Sequence, residues 1–110
     1  MKILVAGAGE RGSRVIQQLL KNKSIEIIVL DPREETYAVK NKIIGKVDLK
    51  ESLTPLTLDY ILNKCNPDLI ILASHSLDLG LGNIGSSHLL SRSIREELAA
   101  ISPVPVIEVD

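Results

Sequence analysis

The sequence predicts an α/β domain in which a doubly wound parallel sheet carries helices on both faces. Two observations lead to this fold class. Short apolar runs typical of buried strands alternate with amphipathic segments typical of helices along the chain. In addition, the first apolar run leads directly into a Gly-x-Gly-x-x-Gly turn that opens the next helix. Parallel strands joined by right-handed crossovers follow from this alternation, and the expected strand order is 3-2-1-4-5.

The first strand–helix–strand unit is predicted from hydrophobic patterning. Residues 2–6, apolar from Ile3 onward, form the first strand, and residues 10–22 place aliphatic side chains on one face of a helix. Residues 25–30 form the second strand, because a continuous run of β-branched and aliphatic side chains is typical of a parallel strand buried on both faces.

The middle of the chain gives weaker signals. Residues 32–42 predict a charged helix, because Pro32 suits a first helical turn and glutamates follow it there. Residues 46–49 predict a short third strand. Thr57 can then cap a helix that runs to about Cys65, where an Asn-Pro pair ends it.

The last third of the chain holds the clearest strand. Residues 68–74, Asp-Leu-Ile-Ile-Leu-Ala-Ser, predict the fourth strand, and a loop with three glycines follows over residues 75–87. Residues 87–101 carry an aliphatic stripe at helical spacing, and the Ser-Pro pair after them stops that helix. Residues 104–109 predict the fifth strand, so the whole chain, residues 1–110, is expected to form a single domain.

Composition limits the classes of function. The net charge of −1 gives no general attraction to nucleic acid or to acidic membranes, and no apolar run approaches the roughly 18 residues of a membrane helix. The N-terminus lacks a signal-peptide pattern and the single cysteine, Cys65, suits a reducing compartment, so a cytoplasmic location is expected. The spacing of His75, Asp78 and His88 matches no metal-ligand pattern, and no metal site is expected.

The glycine turn after the first strand is the main functional signal. Gly7 permits a tight turn, Gly9 lets the backbone approach a phosphate, and Gly12 lets the helix pack close to the strand. The helix N-terminus offers unpaired N–H groups and partial positive charge to an anion. Asp31 ends the second apolar run, where an acidic side chain can accept hydrogen bonds from an adenosine ribose. Together these residues predict a binding site for a dinucleotide.

With these residues placed, the chain resembles the nicotinamide-nucleotide-binding Rossmann domains. The start Met-Lys-Ile-Leu-Val-Ala-Gly-Ala-Gly is similar to that of saccharopine dehydrogenase and of potassium-transport regulatory (TrkA-type) domains. Residues 47–74 are similar to the third and fourth strands of extended short-chain reductases. The resemblance covers about residues 1–74 and is specific to a superfamily rather than to a reaction.

The resemblance implies a role for each matching residue. It implies that the three glycines contact the pyrophosphate and that Asp31 binds a ribose. It further implies that Asp48 lies beside the adenine and that the backbone around Ala73 and Ser74 borders the nicotinamide-side ribose. The cofactor expected is NAD(H), because a carboxylate at Asp31 repels the 2′-phosphate of NADP(H). Arg33, two residues further on, keeps NADP(H) open as an alternative.

Two residues of the turn depart from the pattern of these domains. The position before the third glycine is more often apolar, whereas here it is Arg11, either a pyrophosphate contact or a solvated surface charge. Glu10 places a carboxylate beside the expected phosphate, and that arrangement is repulsive unless the side chain points into water. A scaffold that has kept the fold and lost its nucleotide is therefore an open alternative.

Further candidates lie near the fourth strand. His75 follows this strand and is either an acid or base near neutral pH or a polar loop residue. The glycine-rich loop over residues 76–87 is either a lid over the ligand or a loop without ligand contact. Tyr60 and Lys64 share the Tyr-x-x-x-Lys spacing of short-chain reductases. They precede the fourth strand instead of following it, so a coincidence is expected.

Three functions stay open at this point. The first is a small stand-alone sensing, regulatory or accessory module that binds NAD(H). The second is an oxidoreductase-like enzyme whose site is completed at a dimer interface, and the third is a protein-interaction domain on a Rossmann scaffold. Catalysis by this chain alone is not expected, because no room is left for a substrate domain after the fifth strand. A small sheet with exposed edges also predicts a homodimer or a separate partner protein.

Overall fold

A parallel β-sheet forms the centre of the fold. The structure is a computed structural model, and it describes residues 1–73 and 87–109. Strands and helices largely alternate along the chain, as the sequence predicts. In chain order the elements are β1 (Lys2–Ala6), α1 (Glu10–Leu19), β2 (Glu26–Leu30), α2 (Tyr37–Lys40), α3 (Leu58–Cys65), β3 (Leu69–Leu72), α4 (Ser87–Ile101) and β4 (Val106–Glu108).

The strands of the described sheet lie in the order β2-β1-β3-β4, and all neighbouring strands are parallel. Ala6, at the carboxyl end of β1, is in register with Leu30 of β2 and with Leu72 of β3. The α/β class and the parallel sheet are therefore confirmed. Because β2 and β3 lie on opposite sides of β1, the carboxyl ends of β1 and β3 flank a topological switch point, the place where open α/β sheets bind ligands.

The predicted strand order 3-2-1-4-5 is wrong, because the expected third strand does not form. Residues 46–49 make a single parallel bridge, between Leu49 and Leu30, on the outer side of β2. The carboxylate of Asp48, rather than a main-chain carbonyl, accepts the N–H of Val29 at 2.8 Å, and this contact interrupts a regular ladder. In chain-order numbering the described sheet has the order 2-1-3-4.

The predicted helix over residues 32–42 is reduced to the short helix α2. The backbone N–H of Arg33 donates to the Asp31 carboxylate at 2.9 Å, and this turn holds the chain after β2 out of helical geometry. Thr36 then caps α2, because its hydroxyl accepts the N–H of Val39 at 3.3 Å. The helix therefore starts at Tyr37 rather than at Pro32, because these local hydrogen bonds hold the residues before it.

Helices cover both faces of the sheet, and each face has its own hydrophobic core. Side chains alternate along a strand, so Leu4 faces α3 while Ile3 and Val5 face α1. Full burial of an aliphatic side chain stabilises a fold by roughly 1.5–3 kcal/mol. The core on the α3 side contains Leu4, Ala6, Leu30, Leu53, Leu58, Ile61, Cys65, Ile70, Leu72 and Leu98, and the core on the α1 side contains Ile3, Val5, Ala8, Ile16, Val29, Ala38 and Ile71.

Candidate functional site

The turn after β1 requires a glycine at its first position. Gly7 is buried and has a φ of 112°, a conformation that residues with a side chain rarely adopt. Its N–H donates to the carbonyl of Leu30 at 2.7 Å, so the turn starts where the chain is still bonded to the end of β2. Gly7 therefore fixes the direction in which the chain leaves the sheet.

The third glycine of the motif allows α1 to touch this turn. A Cβ added at Gly12 would overlap the carbonyl oxygen of Gly7 and lie 2.6 Å from the carbonyl carbon. The same Cβ would lie 3.8 Å from the side chain of Ala73, which directly follows β3. The close approach expected from the glycine spacing is present, and it brings the start of α1 against the carboxyl ends of β1 and β3.

The N-terminus of α1 has open hydrogen-bond donors. Gly9 is the N-cap residue, in an extended conformation, and no side chain caps the helix. The N–H of Ser13 donates to the carbonyl of Gly9 at 2.8 Å. Within the described part of the chain, the N–H groups of Glu10, Arg11 and Gly12 have no acceptor. Adjacent donors at the positive end of a helix dipole form the arrangement that binds a phosphate.

Ser13 is a residue of the turn that the sequence patterns did not single out. Its side chain is buried, and its hydroxyl donates to the carbonyl of Gly9 at 2.7 Å. The hydroxyl also lies 3.5 Å from the carbonyl oxygen of Ala8. These contacts hold the glycine turn from the helix side. The available signal was a small polar residue directly after the third glycine.

Asp31 links the end of β2 to the glycine turn. Its carboxylate is completely buried. Oδ2 accepts the N–H of Ala8 at 2.9 Å, inside the turn, and Oδ1 accepts the backbone N–H of Arg33 at 2.9 Å. The Arg33 guanidinium contacts both oxygens, with Nε 3.1 Å from Oδ1 and Nη2 3.1 Å from Oδ2. The carboxylate thus lies beside the turn, and it fixes the position of that turn.

The position of Arg33 decides which ligand groups can reach Asp31. The Arg33 side chain is 42% exposed, whereas the Asp31 side chain is 0% exposed. A ribose hydroxyl can therefore bond to Asp31 only after the guanidinium moves aside. A guanidinium in this place also offsets the charge of the carboxylate and offers planar donors to a phosphate.

The two charged residues at the start of α1 differ in their contacts. The Glu10 carboxylate accepts a hydrogen bond from the Arg14 guanidinium at 2.9 Å, about one helical turn further along α1. This ion pair offsets the negative charge that the sequence places beside the open donors. Arg11 is exposed and makes no ion pair with the described residues, so its positive charge is available to an anion at the helix N-terminus.

The remaining predicted residues do not all meet at this place. Ala73 lies beside the glycine turn, and its N–H donates to the carbonyl of Ala6 at 2.9 Å. Asp48 lies on the side of β2 that faces away from β1, with its carboxylate on the N–H of Val29. It is therefore separated from the glycine turn by the width of β2. The described residues do not include Ser74, His75 or most of the glycine-rich loop.

At the end of α3, Lys64 and Cys65 line a cavity together with Lys2, at the amino end of the sheet. Tyr60 and Lys64 share one helix face, with Lys64 Nζ 4.9 Å from the ring centroid, and a hydrogen bond with Tyr60 raises the pKa of Lys64. Cys65 is buried, its thiol donates to the carbonyl of Ile61 at 3.1 Å, and burial raises its pKa. A buried neutral thiol of this kind fills space in the core and is a poor nucleophile.

Comparison with known proteins identifies no family for this chain. No protein-family model matches the chain, and no curated protein matches it at a significant level. Within the described residues, no group of three or more His, Cys, Asp or Glu side chains could hold a metal ion. Among the same residues, no helix is both long and apolar enough to cross a membrane. The chemistry available is that of open N–H donors, a buried carboxylate and two arginines at the carboxyl edge of a parallel sheet.

Proposed function

We propose that this chain binds a dinucleotide, NAD(H), at the carboxyl ends of β1 and β3, as a small sensing, regulatory or accessory module. The geometry of the glycine turn carries the proposal. Gly7 has a positive φ, Gly12 has no room for a Cβ, and open N–H groups start α1. A turn of this shape lets a diphosphate approach the backbone without obstruction by side chains.

The pyrophosphate is held, in this proposal, by the start of α1. It accepts hydrogen bonds from the N–H groups of Glu10, Arg11 and Gly12, which have no acceptor within the described residues. The exposed guanidinium of Arg11 adds positive charge beside these donors. Arg14 holds the Glu10 carboxylate through their 2.9 Å ion pair, which reduces its repulsion of the phosphates.

The adenosine ribose is held by Asp31 after the Arg33 guanidinium has moved aside. The bond from the Ala8 N–H to Oδ2 at 2.9 Å keeps the carboxylate beside the glycine turn during this exchange. The backbone N–H of Arg33 also stays bonded to Oδ1, since only the side chain has to move. Displacement of the guanidinium lowers the affinity for NAD(H), because a charge-assisted contact is lost when the ribose binds.

NADP(H) is the second candidate ligand, and the contact between Arg33 and Asp31 favours it. The guanidinium lies 3.1 Å from both carboxylate oxygens, so the charge that would repel a 2′-phosphate is already offset. The exposed part of the same guanidinium can pair with that phosphate. The relative affinity for the two cofactors therefore depends on whether Arg33 leaves the carboxylate or stays on it.

The experiment that tests the proposal is thermal unfolding with millimolar NAD, NADH, NADP, NADPH, ATP or AMP, each added separately. A ligand at 100 times its dissociation constant stabilises the folded state by about 2.7 kcal/mol, which raises the unfolding midpoint by several degrees in a domain of this size. We expect a larger shift with NAD or NADH than with ATP or AMP. No shift with any nucleotide would contradict the proposal and favour a protein-interaction domain.

The alternative of a small oxidoreductase rests on a different residue, His75, which lies outside the described part of the chain. This alternative predicts turnover of a substrate with NAD(H) that a His75→Ala variant abolishes. The binding module predicts instead that His75→Ala binds the nucleotide as tightly as the wild type does. Parallel titrations of the two proteins with NADH separate these functions.

A further inference from the structure

The two edges of the described sheet, formed by β2 and β4, differ in how well they are protected against pairing with another strand. On the β2 edge, the segment before Leu49 covers Val29, whose carbonyl accepts the N–H of Asp48 at 3.0 Å and whose N–H donates to the Asp48 carboxylate at 2.8 Å. The exposed carboxylate of Glu26, at the start of β2, also places a negative charge on this edge. A covering segment and charged side chains are devices by which natural sheets prevent edge-to-edge pairing.

The β4 edge has no covering segment within the described residues, and Glu108 is the charged side chain of its strand. Toward β3, Pro105 accepts the N–H of Ile70 and Val109 donates to Leu72, each at 2.9 Å. Odd-numbered residues of this segment therefore turn their backbone groups toward β3. Val106 and Glu108 must turn their N–H and C=O groups outward, because backbone groups alternate in direction along a strand. No described residue bonds to these outward groups.

An exposed apolar side chain lies at the centre of this edge. Ile107 is in register with Ile71, on the sheet face that α1 covers only in part, and it is 50% exposed. Ile101, the last residue of α4 and of the aliphatic stripe predicted for that helix, is 48% exposed. Two large aliphatic side chains, one on β4 and one a few residues before it in the sequence, are thus exposed to solvent.

We propose that the β4 edge pairs antiparallel with the β4 edge of a second copy of this chain. The edge is self-complementary about a two-fold axis at Ile107. In that register Val106 lies opposite the partner's Glu108, and each such pair exchanges two backbone hydrogen bonds. Ile107 meets the partner's Ile107 as a non-hydrogen-bonded pair, in which Cα atoms lie about 4.5 Å apart and side chains are closest.

The charge of the edge also fits a second copy, and its small area predicts a weak dimer. Glu108 is the charged residue of β4, and the two-fold axis places it opposite the aliphatic Val106 of the partner subunit rather than opposite another carboxylate. Strands of three residues bury less than the roughly 800 Å² per partner typical of a tight complex. The dimer is therefore concentration-dependent, with a dissociation constant on the order of micromolar.

Analytical ultracentrifugation of the full chain over a range of concentrations tests the pairing. We expect a reversible monomer–dimer equilibrium in the wild type and at least a tenfold weaker association in Ile107→Lys, because two ammonium groups would meet at the axis. The matched control is Leu56→Lys, which makes the same change at a side chain that is 96% exposed, in the connection before α3. It should associate like the wild type.

A disulfide cross-link gives a second readout that does not depend on the affinity. Ile107→Cys in a Cys65→Ala background should form a covalent dimer on oxidation with diamide, because the two-fold axis brings both thiols within bonding range. Leu56→Cys in the same background is the control and should stay largely monomeric. A wild type that is monomeric at every concentration would overturn the proposal, as would equal cross-linking of the two cysteine variants.

The dimer is independent of the proposed nucleotide site. Ile107 lies on β4, which is separated from β1 by β3, whereas the glycine turn follows β1 directly. We therefore expect Ile107→Lys to bind NADH with the affinity of the wild type. Loss of dimerisation with unchanged nucleotide binding in this variant supports both proposals, and each can fail without the other.

Discussion

Gly12 and Gly45 show how far the role of a glycine depends on its surroundings. A Cβ at Gly12 would overlap the backbone of Gly7, whereas a Cβ at Gly45 would have no atom within 4 Å. The neighbour at Gly12 is main chain, which cannot rotate away as a side chain could. Packing therefore requires a glycine at position 12, independently of any ligand.

A pair of alanine substitutions tests this difference. We expect Gly12→Ala to lower the free energy of unfolding by about 3 kcal/mol, because α1 must move away from the turn. Gly45→Ala should change it by less than about 0.5 kcal/mol, since the added methyl group meets open space. Urea denaturation followed by circular dichroism measures both values. Equal stability of the two variants would contradict the close contact between α1 and the turn.

Asp31 supports the glycine turn, a structural role that the sequence did not predict. The position predicted from its place after the second apolar run is correct, since the carboxylate lies beside the glycine turn. Its bonds to Ala8 and Arg33 could not be foreseen, because they depend on the turn of the backbone after β2. In the proposed complex the ribose replaces only the Arg33 guanidinium, and the N–H groups of Ala8 and Arg33 stay bonded to the carboxylate.

Substitution of Arg33 tests that exchange. In Arg33→Ala the carboxylate keeps its bond to the Ala8 N–H and loses the guanidinium that covers it. We expect NAD(H) to bind about 1.4- to fivefold more tightly, which corresponds to the roughly 0.2–1 kcal/mol of a partly exposed ion pair. NADP(H) should bind more weakly, because the 2′-phosphate loses its cation. Titration calorimetry measures both affinities, and equal weakening of both cofactors would contradict this role.

At the scale of elements, the predictions from continuous apolar runs are confirmed. Two predictions are wrong where side chains form local hydrogen bonds with the backbone. Strands β1, β2 and β3 lie within the predicted apolar runs, because a parallel strand buried on both faces needs continuous aliphatic side chains. The third strand and the helix over residues 32–42 failed where Asp48 and Asp31 bond to the backbone and replace a ladder or a helical turn.

Asp48 gives a prediction at this scale, because the resemblance and the structure assign it different roles. The resemblance places it beside an adenine, whereas its carboxylate is bonded to the N–H of Val29 on the outer side of β2. We expect Asp48→Ala to lower the free energy of unfolding by about 1 kcal/mol, since this N–H loses its acceptor. Nucleotide affinity should change less than twofold. A tenfold loss of affinity for NAD, measured by calorimetry, would instead support the adenine contact.

At the scale of the whole molecule, the order of the strands in the sheet brings the residues of the candidate site together. The sheet order brings Gly7, at the end of β1, next to Ala73, at the end of β3, although these residues are far apart in the sequence. The order of strands and glycines allowed this meeting to be predicted. The contributions of Ser13 and Arg33 could not be predicted, because each depends on where a side chain finds a backbone or carboxylate oxygen.

The most direct test of the account is a calorimetric titration of NADH into the wild type, Gly9→Val and the control Gly45→Val. Gly9 has extended backbone geometry, so valine fits its conformation while its side chain blocks the approach of a phosphate to the start of α1. The account predicts saturable binding to the wild type and to Gly45→Val, with at least tenfold weaker binding to Gly9→Val. Equal affinity of all three proteins, or no binding to the wild type, would contradict a dinucleotide site at the glycine turn.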